Sequence, residues 1–421
     1  MRARAFIFTL AVTAIAAVHA KDADLDALQL ANRAAANKAA SAPEARWFVE
    51  GMLGASDPRT PPDERTAGIG RLSLDLQWDK SLDSGLRFLL ASRLDVTGQK
   101  RPSAHDSVNT LKEAYLSWQP RPDRFLDAGR INVRNGVATG YNPTDYFREG
   151  AIRSLTSVDP VSLRANRMGT AALRGQFLWD DGSLAALVSP KVSDTPHDAV
   201  FHPDLAATNN RNRWLLALSQ RITDDLTPQF LLYGPRAGEV RAGLNIASLV
   251  GDATVVFAEW SAGRTPSQLS QALGTPGEYA LRHQVATGLT YTTASKLSLT
   301  LEYDYNGAGL DRGAWGALRA GPNAAYGQYR RWAGVSQELP TKQRVFALAT
   351  WQDVFIDRLD WSAMVRHTVE DRSRTFWTEL RYRWTTTELA LQWQSNHGDP
   401  TSDFGAASLH RSLQLSLRQF F

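Results

Sequence analysis

Ser408-Leu-His-Arg-Ser-Leu-Gln-Leu-Ser-Leu-Arg-Gln-Phe-Phe421 is the stretch on which the reading of this chain turns. Leu409, Leu413, Leu415, Leu417 and Phe421 fall on one phase of a two-residue period. His410, Ser412, Gln414, Ser416 and Arg418 fall on the other. Successive side chains of a strand point to opposite faces, so this segment is apolar on one side and polar on the other. Such a strand fits a half-buried sheet, and it fits a wall with one face in lipid.

The same period runs back to Arg46. About eighteen strand-like segments can be marked between Arg46–Ser56 and Leu409–Phe421. Leu297, Leu299, Leu301, Tyr303 and Tyr305 alternate with Ser298, Thr300, Glu302 and Asp304; Val240, Ala242, Leu244 and Ile246 alternate with Glu239, Arg241, Gly243 and Asn245. The connections alternate too. Short ones such as Pro120-Arg-Pro122, Asp180-Asp-Gly182, Thr223-Asp-Asp225 and Thr293-Ala-Ser295 take turns with long ones, among them Val133–Arg167, Ser193–Asn212 and Asn306–Gln343. Two of the second set are short, near Gly234–Gly238 and Thr368–Arg374. Trp78, Trp118, Trp179, Tyr233, Trp260, Tyr291, Trp351, Trp384 and Trp393 lie near strand ends, where aromatic girdles at a lipid–water interface belong.

Met1–Ala20 has the form of a secretory signal: Arg2 and Arg4 precede an apolar run from Ala5 to Val18, and Val18-His-Ala20 is a small-x-small cleavage site. Residues 21–45 form an Ala-rich segment expected in the periplasm. No later run is long and apolar enough for a spanning helix. A closed barrel is the other fold that satisfies every backbone group in lipid. The chain has no Cys, which excludes disulfides and thiolate metal sites. Its net charge of +4 is too mild to suggest nucleic acid. No Gly-x-Ser-x-Gly elbow and no His-Glu-x-x-His helix occurs, so neither enzyme chemistry, cofactor nor metal is expected.

The amphipathic strand ending in Phe421, the signal and the alternating connections together resemble bacterial outer-membrane β-barrels of the porin-like superfamily. The expected fold is therefore all-β: a transmembrane antiparallel up-and-down barrel of about eighteen strands over 46–421, with long extracellular loops and short periplasmic turns. The resemblance implies a Gram-negative outer-membrane location, lipid contact, and recognition of the Phe421 strand by the barrel-assembly machinery. It also implies that the third outer loop, 133–167, folds into the lumen. That loop holds Gly140-Tyr-Asn-Pro-Thr-Asp-Tyr-Phe147, too apolar for free solvation, and Asn142 and Asp145 around Pro143 favour a capped helix start there.

The candidate pore-lining or constriction residues come from this loop and from the inward phase of the strands. The loop supplies Asp145, Arg148, Arg153, Arg164 and Arg167, with Arg134 at its start. The strands supply Arg87, Arg93, Arg174, Arg241, Glu302, Arg366 and Arg381. Rings of charge set ion preference in a pore, and the loop arginines tilt it towards anions. The same wall charges can instead pair across strands and only hold the barrel. The function expected is passive passage of small anionic or polar solutes. The alternatives are an exporter of anionic polysaccharide or other specific substrate, and a barrel-embedded hydrolase.

Overall fold

Two-residue alternation sustained over seven to fifteen residues produces strands that the computed structural model, describing residues 44–59, 67–82, 85–98, 106–235 and 239–421, joins into one sheet. The expected signal and the segment up to residue 43 lie outside the described residues. The strands are β1 (Ala45–Pro58), β2 (Ala67–Ser81), β3 (Leu86–Thr97), β4 (Ser107–Arg121), β5 (Arg124–Ile131) and β6 (Thr170–Trp179). Next come β7 (Gly182–Ser189), β8 (Arg213–Gln220), β9 (Gln229–Pro235), β10 (Arg241–Val250), β11 (Thr254–Thr265) and β12 (Ala280–Thr292). The last are β13 (Leu297–Asn306), β14 (Gln343–Trp351), β15 (Leu359–Thr368), β16 (Arg374–Arg383), β17 (Thr387–His397) and β18 (Leu409–Phe420). Each pairs antiparallel with its chain neighbours, and β1 pairs with β18, for example Leu53 with Leu415 and Phe48 with Phe420. The 18-stranded sheet is closed and has no free edge.

Burial decides which face is which. Leu413, Leu415 and Leu417 are 49%, 47% and 52% exposed, while Ser412, on the opposite phase, is 4% exposed. On β13, Leu299 and Leu301 lie open and Glu302 and Asp304 are buried. The apolar face is thus outside and the charged face inside, the inverse of a soluble sandwich and the arrangement of a barrel in lipid. Trp47 stacks on Phe421 at 4.0 Å where the first and last strands meet. Trp78, Trp118 and Trp384 are exposed near the short-turn end. Tyr233 does not belong to that girdle. It points inward, 4% exposed, and stacks on Tyr146. Its place near a strand end could not reveal this, because the phase of the short strand β9 decides it.

The short turns lie at one end and the long connections at the other, with 236–240 and 369–373 short exceptions among the latter. Most of the chain outside the wall lies in the connections of the loop end.

Leu415 stands mid-strand between Leu391 and Leu53 on the lipid face. Leu415→Arg should cost about 2–4 kcal/mol of folding free energy in bilayers. Gln414→Ala, on the inner face, should cost less than about 1 kcal/mol. Urea titration of vesicle-folded protein measures both; equal costs would contradict the assignment of faces.

Candidate functional site

The connection from β5 to β6 runs against the inner wall, and two glutamates hold it there. Glu259 of β11 and Glu302 of β13 are 0% and 1% exposed. Glu259 accepts the backbone N–H of Ala138 at 2.6 Å and that of Val137, together with the amide of Asn142 at 2.9 Å and the hydroxyl of Thr144 at 3.1 Å. Glu302 accepts three consecutive N–H groups, from Thr139 at 2.9 Å, Gly140 at 3.1 Å and Tyr141 at 2.9 Å. Successive N–H groups converging on one carboxylate form an anion nest, and hydrogen bonds to an ionised acceptor are the strong kind. The backbone must come very close for this. A Cβ on Gly136 (φ +103°) would lie 2.4 Å from Glu259, and one on Gly140 would lie 2.6 Å from the Phe346 ring.

Aromatic residues seal the other side of the loop. Tyr146 stacks on Tyr233 at 4.5 Å and shares a hydrogen bond with Ser261 at 3.0 Å. Phe147 meets Tyr233 edge-on and lies under the Arg213 guanidinium at 4.6 Å. Within the loop, Arg167 donates to both oxygens of Asp145, at 2.6 and 3.0 Å. The helix start expected around Pro143 is not there. Residues 142–148 form successive tight turns, because the preceding N–H groups are spent on wall carboxylates. The loop's helix is α1 (Pro160–Ala165), with Asp159 accepting from Ser162 N–H and Pro160 at its first position.

A second body closes over the mouth. The connection from β13 to β14 folds into α2 (Arg312–Ala320) and α3 (Asn323–Ser336). With the short helix over Gln268–Leu273 they enclose Trp315, Leu318, Tyr329 and Ala272. Tyr329 donates to Pro340 O at 2.6 Å, and Trp315 donates its indole N–H to Asp371 at 2.8 Å. Burial would raise the Asp371 carboxyl, but donors from Ser373, Asp403 and Trp315 hold it below the usual carboxylate range.

The two bodies meet at a three-residue bridge. Glu338, just after α3, accepts from the Tyr141 hydroxyl at 2.6 Å and the Arg148 guanidinium at 2.6 Å. Arg148 also lies 4.9 Å above the Tyr141 ring. Burial and the Glu338 charge both push the Tyr141 phenol well above its ordinary range, so it remains a donor. Burial would draw the Arg148 guanidinium down, but the Glu338 charge overcomes it and the net shift is upward. Cavities flank the bridge. One of about 140 Å³ is bounded by Tyr146, Arg148, Arg211, Arg241, Arg282 and Glu338. The other, of about 300 Å³, is bounded by Tyr141, Arg164, Arg330, Glu338, Arg344 and Arg366.

The residues singled out in the sequence divide into groups. Asp145, Arg148, Arg164 and Arg167 come together at the cavities, and Arg241 and Arg366 face them from the wall. Arg241 makes no hydrogen bond or ion pair among the described residues, and its Nε is buried. Arg153 is turned to the carbonyls of Ala199, at 2.8 Å, and His202. Arg134 is half-buried and partnered at the loop's start. Glu302 is spent on the loop backbone. Arg93, Arg174 and Arg381 point inward but pair with wall carboxylates: Arg93 with Glu50 at 2.8 Å and Asp95 at 2.9 Å, Arg174 with Asp127 at 2.7 Å, Arg381 with Glu379 at 2.7 Å and Glu388 at 2.5 Å. Arg87, near the turn end, pairs with Asp79. Sequence reasoning missed Glu338, Arg330 and Arg344. Arg344 sits at the start of β14 on the inward phase and was legible there; Glu338 and Arg330 depend on the fold of a long connection.

No protein-family model matches the chain, and no curated protein matches it. Solved structures do. OccAB1 of Acinetobacter baumannii superposes with a TM-score of 0.57 at 10% identity, over 90% of this chain and 97% of that one. A BenF-like porin from Pseudomonas fluorescens Pf-5 gives 0.56 at 8%, over 90% and 98%. OccK2 (OpdF) of Pseudomonas aeruginosa, solved in complex with glucuronate, gives 0.55 at 11%, over 90% and 97%. The chain therefore has the fold of a porin-like outer-membrane β-barrel.

Glu302→Ala should strand three backbone donors, each costing about 1–3 kcal/mol. The expected result is a larger single-channel conductance and new tryptic cleavage between residues 137 and 167. An unchanged conductance with an unchanged tryptic pattern would remove Glu302 from its anchoring role.

Proposed function

We propose that this protein is a passive outer-membrane channel for small anionic solutes, with the segment 133–167 as its constriction. The observation that carries the reading is the donor set around the larger cavity. Arg164, Arg344 and Arg366 line it, and each has a buried Nε that meets no hydrogen-bond acceptor among the described residues. Arg366 makes no ion pair among the described residues; it donates to the Val158 carbonyl at 3.2 Å. These guanidinium groups border the cavity, where a carboxylate or phosphate passing the site can accept charge-assisted hydrogen bonds from them.

Asp145, Glu338 and Asp403 also border this cavity, which limits the preference. Multiple weak contacts of this kind let a solute enter and leave again. A volume of about 300 Å³ suits a solute of monosaccharide size better than a polymer strand. The barrel's apolar outside and the Gram-negative source of its structural neighbours support an outer-membrane location. The glucuronate held by OccK2 is a small carboxylate of the class inferred here.

In a planar bilayer under a potassium chloride gradient, the wild type should give an anion-selective reversal potential. Arg344→Gln combined with Arg366→Gln should lower the anion-to-cation permeability ratio at least about two-fold while the pore still conducts. A cation-selective wild type, or a reversal potential that the double substitution leaves unmoved, would overturn the proposal.

A further inference from the structure

The outer wall departs from its apolar pattern in one sector. At the loop ends of β15, β16 and β17 the outward positions are His367, Arg374 and His397, and these face one another in register, His367 opposite Arg374 and Arg374 opposite His397. The phase is fixed by Thr375, Trp377 and Glu379, which take the buried inner face of β16. On the next strand, at the bulge opposite Asp57 and Pro58, come His410 and Arg411. The His397 and His410 rings lie 6.1 Å apart, and Arg59 and Arg411 as well as Arg374 act electrostatically on His397. Arg59 is already committed to the carbonyls of Asn396 and Gly405. Arg374 and Arg411 are exposed, and neither makes a hydrogen bond or ion pair among the described residues. Among the described residues, the acidic side chain facing the group is Asp57, opposite Arg411.

Immediately below, the wall is apolar again, with Val365, Phe376, Trp393 and Leu413. Phe376 ties the two zones together: the Arg374 guanidinium lies 5.4 Å above its ring, and His397 meets its edge at 5.8 Å. Arginine on the lipid face costs about 2–4 kcal/mol at the bilayer midplane and about 0–1 near the interface. The row thus belongs at headgroup height. Two cations elsewhere at the loop end are neutralised or spent within the protein: Lys191 pairs with Asp194 at 2.7 Å, and Arg264 donates to Tyr279 O at 2.9 Å. In this sector the two guanidinium forks of Arg374 and Arg411 face the membrane surface beside His367, His397 and His410, of which His397 shares a hydrogen bond with Ser395.

We infer that the outer rim of β15–β18 is a docking surface for the phosphorylated headgroup of an outer-leaflet glycolipid. Guanidinium forks match phosphate oxygens two at a time, and clustered cations beside an apolar band read anionic lipid. The acyl chains of the same lipid lie along Phe376, Trp393 and Leu413. This inference rests on the outer-membrane orientation proposed above, but not on solute passage.

The test is native mass spectrometry of the full-length protein folded in detergent and titrated with bis-phosphorylated lipid A, its dephosphorylated form, or phosphatidylethanolamine. The wild type should retain only the phosphorylated glycolipid. Arg374→Gln with Arg411→Gln should weaken retention about thirtyfold, given about 1 kcal/mol per cation at a membrane surface. Arg374→Lys with Arg411→Lys should restore part of it, and Arg264→Gln should leave it unchanged. Equal retention by wild type and the glutamine double variant, or equal retention of the dephosphorylated lipid, would overturn the proposal. Conductance recorded on the same preparations separates the two readings: a wild type that discriminates the lipids without conducting leaves this inference standing and defeats the channel.

Discussion

A strand in lipid has no water to satisfy its N–H and C=O groups, so each must find a neighbour on both sides. Closure of β1 against β18 is the answer here, and the rest of the molecule follows from it. Eighteen strands closed in a ring are too many for wall side chains alone to fill the interior. The inner face also carries the polar half of every alternating strand. The wall therefore has two problems at once, an unfilled interior and unpaired polar groups. The loops and the ion pairs are how both are met.

The two solutions occupy different sectors. Around β1–β3 and β16–β18 the inward charges satisfy one another. Glu50 alone bonds Arg71, Arg93 and Arg418, and Asp75 takes Lys112. Around β11–β13 the inward acids lack such cations among their hydrogen-bond partners, and the backbone of the 133–167 segment serves instead. A wall carboxylate with no guanidinium opposite it can recruit a chain segment through its N–H groups. The position of the in-folded segment is thus decided by where the wall leaves acids without a cation. The loop's composition matters second: small residues at Gly136 and Gly140 allow the approach, and Tyr146 and Phe147 supply apolar contact with the wall.

The wall was legible in the sequence because a barrel strand declares itself through the two-residue period, and the alternation of short and long connections orders the strands without any motif. Eighteen segments could be marked between Arg46 and Phe421, and the structure has the same number of strands between Ala45 and Phe420. Which face met lipid was not fixed by Leu415 and Gln414 themselves, since alternation is symmetric; the girdle, the signal and the terminal Phe421 broke the tie. The site was legible only in part. Glu302 was visible as an inward acid, but its partners are main-chain N–H groups, which carry no residue signature. Glu338 was invisible because it acts from a connection whose helices pack on each other through Trp315 and Tyr329. Arg93 and Arg381 look the same in sequence as Arg366; only the positions of Glu50 and Glu388 in space tell a paired wall arginine from one facing a cavity.

That last distinction separates the inside of the barrel from its outside as well. A guanidinium is informative where its donors are unmet, because elsewhere its charge is already accounted for. Inside, Arg344 is matched by Asp403 at 3.1 Å and Arg164 by Asp145 at 3.9 Å, and with Glu338 beside them these acids oppose tight retention of an anion, as the proposed passage requires. Outside, Asp57 is the acid facing Arg374 and Arg411 among the described residues, with an apolar wall beneath. With little to oppose an anion and with acyl chains able to add contact, the outer row favours a resident. On the two readings proposed above, the same side chain serves passage on one face and attachment on the other, and the difference lies in the acids and the apolar surface around it.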